Sequence, residues 1–526
     1  MPRTTRTTRN RRLAGGGVLA AAVLIAATAA TAPAQARPVP RGTVQISTGL
    51  NGAVPDDQSW SQGVSADGRY ALFTSWATNL VEQPGKTWRD AFVTDLRTGR
   101  TERVNLSDAD EPLAGFTDYV AINANGRYVA FDSDAEDVVP GLPVKGRGEV
   151  YVRDRWTGRT ELISAGPAGT DTDRFHSSYA PSISADGRYV AFVSARTDLD
   201  PTVVDSGPVD GDPTLNRPYT WKYNVYLTDR RTHTTRLVSR DANGRPGESL
   251  SIHPTISADG RTIGFSSLSA LLPEEQPPAD PAEADLTPSA AEAARRSLPK
   301  ALAQAQPVLS HPTSAVYYTY DVPSGKLTPV SVGLDGEVGH SSFEATISPD
   351  GRRAVYTLPE PGGSTNGHRY HTVLHVRDLT TGTVTKVSGG LPGTSSVGSS
   401  DHGSITADNR WIYFESAADN LVPGPQHADW DVYRQDLRTG RTERVATAPD
   451  GSLGNGSSNA PFVSATGRTV VFGSTSGNLV PGAGAPPTEG FQVFAKPAPR
   501  HPVGGDDRVV PAPCSAAGSG RSRGPG

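Results

Sequence analysis

The sequence predicts an all-β fold, a seven-bladed β-propeller of four-stranded blades whose last blade is closed by the N-terminal strand. Three observations predict it. A twelve-residue phrase, first met as Val64-Ser65-Ala66-Asp67-Gly68-Arg69-Tyr70-Ala71-Leu72-Phe73-Thr74-Ser75, returns seven times, with variants starting at Ile122, Ile183, Ile256, Ile347, Ile405 and Val463. Repeats of roughly 40–50 residues mark stacked or ringed units that bury their apolar faces only against neighbours. Each unit carries two hairpin signals. The final unit is one strand short, and one unpartnered strand stands ahead of the first.

The elements follow in order. Each phrase runs from an apolar residue through Ser-x-Asp-Gly-Arg into a β-rich run such as Tyr189-Val190-Ala191-Phe192-Val193. Asp-Gly between β-formers is a hairpin signal because glycine takes the positive φ that the turn requires. A second phrase, Val150-Tyr151-Val152-Arg153-Asp154-Arg155-Trp156-Thr157-Gly158-Arg159-Thr160-Glu161-Leu162-Ile163, recurs from Phe92, Val225, Val316, Val373 and Val432. Two hairpins make four strands, the content of one propeller blade. Blades therefore begin near residues 60, 118, 179, 252, 343, 401 and 459, within a propeller spanning 43–497. The seventh has Val463 to Ser474 and Phe491 to Ala495 but no second hairpin. Thr43-Val44-Gln45-Ile46-Ser47 resembles the fourth strands at Val104-Asn105-Leu106-Ser107 and Leu237-Val238-Ser239, so it is expected to complete the seventh blade. Closure of this kind removes sheet edges that would otherwise aggregate.

Composition supplies an address. Residues 1–36 read as an export signal: Arg3, Arg6, Arg9, Arg11 and Arg12, an apolar stretch from Val18 to Ala30, then Ala34-Gln35-Ala36 for cleavage. The apolar run is too short and too alanine-rich for a stable membrane anchor. The mature protein is expected to be secreted and monomeric. Losing five arginines and no acids moves the net charge from -5 to -10. That balance excludes nucleic acid, which needs clustered Lys and Arg. The lone Cys514 permits no intrachain disulfide, and residues 498–526 have the composition of a disordered tail.

Where the chain departs from its own repeat, function is expected. Two connections between second and third strands are long, residues 198–221 and 271–312, and the latter contains a capped helical pattern at Asp285 to Arg296. Both rim the same mouth of the central channel. Counting back three residues from each phrase gives Ser61, Tyr119, Ala180, His253, Glu344, His402 and Ala460. His253, Glu344 and His402 thus share one position in consecutive blades. Two imidazoles and a carboxylate form a candidate divalent-metal set, with Asp401 or His340 as a further ligand or support. The competing reading is a group of solvated polar residues. The recurrent Asp67, Asp186, Asp259 and Asp350 are read as turn caps. Phe73, Phe131, Phe192, Phe265, Phe414 and Phe472 are read as core between blades, whereas Trp60, Trp76, Trp88, Trp221 and Trp430 fall outside that rhythm.

The phrases Ser184 to Phe192 and Ile347-Ser348-Pro349-Asp350-Gly351-Arg352 resemble the WD40-like PD40 repeats of TolB-type β-propellers over residues 43 to 497. The resemblance implies the fold, and roles as an interaction scaffold or as the lid-like domain of serine peptidases. The chain departs from both arrangements. No α/β domain accompanies the repeats, and the sole Gly-x-Ser-x-Gly match, Gly520 to Gly524, lacks the strand and helix of a nucleophile elbow. The expected function is binding of an extracellular protein or carbohydrate at the channel mouth. The alternative is a polysaccharide-active enzyme, lyase or glycosidase, in the same funnel, and a third reading is a scaffold using the outer blade surfaces.

Overall fold

A computed structural model describes residues 42–498, except 84–87, 143–147, 167–176, 197, 201–222, 242, 248–249, 270, 273–314, 342–343, 362–369, 392–393, 395–396, 426–428 and 482–489. The export segment, most of both insertions, the Asp285–Arg296 helical pattern, Trp221 and the C-terminal tail lie outside the described residues. Seven antiparallel four-stranded sheets stand in a ring, and helix among the described residues is limited to a 3-10 turn at Leu50–Gly52. The innermost strands are Ser59–Val64, Val120–Ile122, Ser178–Ile183, Ser251–Ile256, Thr346–Ile347, Ser400–Ile405 and Ser458–Val463, close to the blade starts read from the phrases.

The clasp forms as the missing strand required. Val44–Gln45 pairs antiparallel with Gln492–Pro497, placing Val44 opposite Ala495 and Gln45 opposite Phe494. The Ile46 amide donates to the Val493 carbonyl at 2.8 Å, and the Ser47 hydroxyl donates to Gln492 Oε1 at 2.8 Å. Ile46 is buried in an apolar cluster shared with Phe73 and Phe92 of blade 1 and Val471 and Val493 of blade 7. One short strand therefore satisfies a sheet edge and fills a seam between blades.

The repeated aromatics explain the repeat. In every blade a second-strand ring lies directly opposite a third-strand ring and stacks on it: Phe73–Phe92, Phe131–Tyr151, Phe192–Tyr226, Phe265–Tyr318, Tyr356–His375, Phe414–Tyr433 and Phe472–Phe494. Their centroids are 5.5–6.1 Å apart. Offset stacks of this kind add to the burial of two large side chains. The apolar clusters lie between sheets, as when Leu72 and Val93 of blade 1 pack with Val120, Val129 and Phe131 of blade 2.

The recurrent aspartates are structural as well. Asp67, Asp186, Asp259 and Asp350 each accept a hydrogen bond from the serine two residues before and from the arginine amide two residues after. The second-hairpin aspartates pair with the arginine of the first phrase: Arg69–Asp95 and Arg127–Asp154 at 2.7 Å, Arg188–Asp229 at 2.6 Å and Arg410–Asp436 at 3.1 Å. Blade 5 departs from the rhythm. Its second and third strands, Arg353–Pro361 and Tyr370–Asp378, run nine residues each and pair throughout, so this hairpin extends past the level at which the others end. It is a third elongation toward the mouth, hidden in the sequence because Pro359 and Pro361 argue against strand there.

Candidate functional site

The mouth is built from one backbone irregularity repeated around the ring. In blades 3, 4, 6 and 7 the innermost strand carries a β-bulge in which two residues oppose one aromatic residue; in blade 4 the register jumps from Ile252–Ser266 to Thr255–Gly264. The first bulge residue is left-handed in each case: Ala180 (φ 51°), His253 (φ 52°), His402 (φ 54°) and Ala460 (φ 45°). Blade 1 has the same jump between Ser61 and Gly63. Five of the positions counted from the sequence, those of blades 1, 3, 4, 6 and 7, are therefore bulges inside strands, whereas Tyr119 and Glu344 precede the innermost strands of blades 2 and 5. A non-glycine residue held left-handed costs on the order of 1 kcal/mol, and a bulge re-aims the side chain it carries.

Four of the seven positions carry large polar groups, and these side chains meet across the channel. His402 Nδ1 donates to Glu344 Oε2 at 2.9 Å, joining blade 6 to blade 5. The Tyr119 ring of blade 2 lies 6.2 Å from the His253 ring of blade 4, edge to face, reaching past blade 3, whose residue is Ala180. Glu344 is electrostatically coupled to His253 and to Tyr119. The remaining positions are small, and the Ser61 hydroxyl donates to the Ala460 carbonyl at 2.8 Å. His402 and Glu344 keep side-chain exposures of 27% and 37%, so water reaches the pair.

Two carboxylates that carry no mark in the repeat phrase complete the site. Glu415 and Asp132 follow the stacked phenylalanines of blades 6 and 2, where other blades have Thr74, Val193, Ser266, Thr357 and Gly473. Each supports the bulge of the next blade. Glu415 Oε2 accepts the Ala460 amide at 2.6 Å, and Asp132 Oδ2 accepts the Ala180 amide at 3.5 Å. Asp132 Oδ1 also takes the amides of Asp118 and Tyr119 at 2.8 and 3.0 Å. Sequence reasoning missed both, and the available signal was a carboxylate interrupting an otherwise small or apolar repeat position.

These groups perturb one another strongly. Burial alone would lower the His402 imidazole, but Glu344, with Glu415 and Asp401 behind it, raises it to about 9, so it is protonated at neutral pH. Burial would raise Glu344, yet His402 and His253 hold it below the usual carboxylate range. Burial, reinforced by the Glu344 charge, pushes Glu415 up to about 7 against the pull of His402. Asp132 rises to about 7 through burial and the neighbouring Asp118. Asp401 is pushed well up by burial, Glu344 and Glu415. Burial lowers His253 and favours its neutral form. Carboxylates whose proton affinities diverge in one cleft are the usual equipment of a functional site.

The other half of the mouth is aromatic. Tyr119, Tyr179 and Tyr223 form a chain of rings at 6.0 and 5.3 Å. Arg89, ion-paired with Asp118, lies 5.2 Å above the Trp60 ring. Trp76 and Trp88 both pack edge-on against Phe116, at 5.6 and 4.6 Å. All of these rings are half-buried.

Of the proposed metal set, the structure pairs Glu344 directly with His402 and brings His253 into electrostatic range. Among the described residues no group of three His, Cys, Asp or Glu side chains is arranged to hold a metal ion. Asp401 lies in the same cluster, whereas His340 makes no hydrogen bond to it. As it stands the cluster can donate a proton or hydrogen bond from His402 and accept hydrogen bonds at Glu344.

Fold and mouth together define a closed propeller whose channel is polar on one side and aromatic on the other. The chain is similar to TolB from Acinetobacter baumannii, at 14% identity over 82% of this chain and 81% of that one, with a TM-score of 0.33. It is similar to the β-propeller domain of the Trilobed protease from Pyrococcus furiosus, at 11% identity over 79% and 91% of the two chains, with a TM-score of 0.44. Against the acylaminoacyl peptidase of Pyrococcus horikoshii it is 12% identical and covers 80% of itself and 50% of that chain, with a TM-score of 0.41. No protein-family model and no curated protein matches the chain. These scores are low, and the propeller assignment stands on the seven closed sheets.

Proposed function

We propose that this protein is a secreted binding propeller that holds a neutral or cationic, ring-bearing ligand, a carbohydrate chain foremost, at the channel mouth. The observation that carries the reading is the set of seven equivalent positions at the innermost strands, of which four carry Tyr119, His253, Glu344 and His402 and three are small. A preformed concavity with few convergent polar groups is where a ligand is expected. The half-buried tryptophans and tyrosines supply flat apolar faces for a sugar ring. Glu344 and His402 supply an acceptor and a donor for hydroxyls. Glu344, held ionised, disfavours an anionic group at its side of the mouth by like-charge repulsion. Secretion rests on the pattern of residues 1–36, and sequencing the N-terminus of protein recovered from culture supernatant tests it, with Arg37 expected as the first residue.

The ligand test is titration calorimetry with neutral, amino-sugar and uronate oligosaccharides. Neutral and amino-sugar chains are expected to bind and uronates to fail. Glu344→Gln and His402→Ala should each weaken binding about tenfold or more, the scale of a lost charge-assisted hydrogen bond. Uronates binding best, or both variants binding as the parent does, would refute the reading. The enzyme alternative draws on the ionised Glu344 coupled to Glu415, whose proton affinity is raised to about 7, the division of labour that glycoside hydrolysis uses. Release of reducing ends that Glu415→Gln abolishes would favour it.

A further inference from the structure

The end of the channel opposite the mouth holds the Ser-x-Asp-Gly turns, and there the blades are stitched together by backbone hydrogen bonds. The amide of the x residue donates to its counterpart in the next blade: Ala66 to Ala124 at 3.0 Å, Ala124 to Ala185 at 3.2 Å, Ala185 to Ala258 at 3.0 Å and Ala258 to Pro349 at 2.7 Å. The chain of bonds resumes from Ala407 to Ala465 at 3.0 Å and closes from Thr466 to Ala66 at 3.1 Å. It is interrupted at one seam, between blades 5 and 6, where the donor position is Pro349 and no N–H exists.

The same seam also lacks a second stitch that three of the seven seams carry. Between blades 1 and 2, 2 and 3, and 3 and 4, a tyrosine lies on the turn glycine of the next blade so closely that a Cβ on Gly126, Gly187 or Gly260 would come within 2.3–2.4 Å of Tyr70, Tyr128 or Tyr189. Tyr70 is also clamped between Arg69 and Arg155, and Tyr128 between Arg127 and Arg230, at 4.4–4.8 Å. At the seam between blades 5 and 6 the tyrosine position is Arg353, the glycine position is Asn409 (φ 56°), and Leu437 stands where Arg155 and Arg230 stand elsewhere. A side-chain bond from Asn409 to Asp350 is the substitute. The apolar filling is intact, with Val355 and Leu374 against Ile405 and Phe414, and the mouth end is latched by Glu344 and His402.

We infer that the blade 5–blade 6 seam is a built-in gate, along which the ring parts at the end opposite the mouth while the Glu344–His402 pair keeps the mouth end together. Opening there gives the channel a second entrance without breaking the clasp between blades 7 and 1. It does not depend on what the mouth binds. Hydrogen exchange followed by mass spectrometry on the full chain tests it. Segments Arg352–Val355 and Thr406–Arg410 are expected to exchange about tenfold faster than Arg69–Leu72, Arg127–Ala130 and Arg188–Ala191, on the scale of one or two missing backbone bonds. Pro349→Ala, which restores the amide, should slow this seam about fivefold, and Ala185→Pro should create a second fast seam between blades 3 and 4. Even exchange around the ring, fastest exchange between blades 7 and 1, or no slowing in Pro349→Ala would overturn the gate. The proline-removal variant keeps the test decisive if Ala185→Pro fails to fold.

Discussion

The two ends of the channel are made from the same seven strands yet follow opposite rules. At the turn end the blades nearly copy one another, and each repeated residue acts locally. Aspartate caps the turn, arginine pairs with aspartate, and the small x residue passes a hydrogen bond to its neighbour. At the mouth five blades share a backbone bulge, and the blades differ in what they mount at that position. Repetition here marks what holds the ring together, and loss of repetition marks what the ring presents. Blade 5 is instructive because it departs at both ends, with the long hairpin above and Pro349 below.

That contrast can be broken or sharpened by experiment. The largest effect is expected from the clasp, which serves both ends at once. Deleting residues 43–47 exposes an edge of blade 7 and unpacks Ile46, and it should lower the thermal midpoint by on the order of 10 °C and broaden the transition. A truncated protein that melts like the parent in calorimetry would show that the ring does not need its zip.

A smaller effect separates the ends directly. Gly126→Ala at the turn end combines φ +73° with a 2.3 Å approach to Tyr70 and should cost roughly 2–3 kcal/mol in urea unfolding. Ala180→Gly at the mouth relieves a left-handed alanine (φ 51°) while adding chain entropy to the unfolded state, so stability should stay within about 0.5 kcal/mol. Equal costs at the two positions would erase the distinction.

The smallest effect is the pH profile of the mouth. Asp132 and Glu415 hold protons up to about pH 7 in the folded chain, so each contributes stability present below its unfolded value near 4 and lost as pH rises toward 7. His402, raised to about 9, contributes stability present below about 6.5 and lost between there and 9. Asp154 runs the other way. Burial would raise it, but Arg127 holds it at about 2, so its contribution is lost as pH falls from about 4 to 2. The melting midpoint should therefore peak near pH 4–5 and fall by a few degrees toward pH 9. Glu415→Gln should flatten the limb between 4 and 7, and a midpoint that rises from pH 5 to 9 would contradict the assignments.

The fold was legible because its determinants are local and periodic. Asp-Gly turns, the phenylalanine rhythm and the orphan strand at Thr43 to Ser47 each act within a few residues or state a plain deficit of one strand. The alignment of His253, Glu344 and His402 was legible for the same reason, since they share a phase in the repeat. What could not be read is what depends on the ring closing. That Glu415 reaches the Ala460 amide, and Asp132 that of Ala180, follows from blades packing side by side, 45 and 48 residues apart in sequence. That Tyr119 meets His253 depends on Ala180 being small between them. The long hairpin of blade 5 escaped because Pro359 and Pro361, which argue against strand in the sequence, lie inside its second strand.

The bulge separates two properties that most pockets confound. Where a neighbouring carboxylate fixes the bulge, as Asp132 does at Ala180 and Glu415 at Ala460, the backbone course does not depend on the side chain mounted there. The molecule thus behaves as a socket with seven pins, some coupled as Glu344 is to His402, and exchanging the pins at 61, 119, 180, 253, 344, 402 and 460 offers a route to new ligand preferences on one frame.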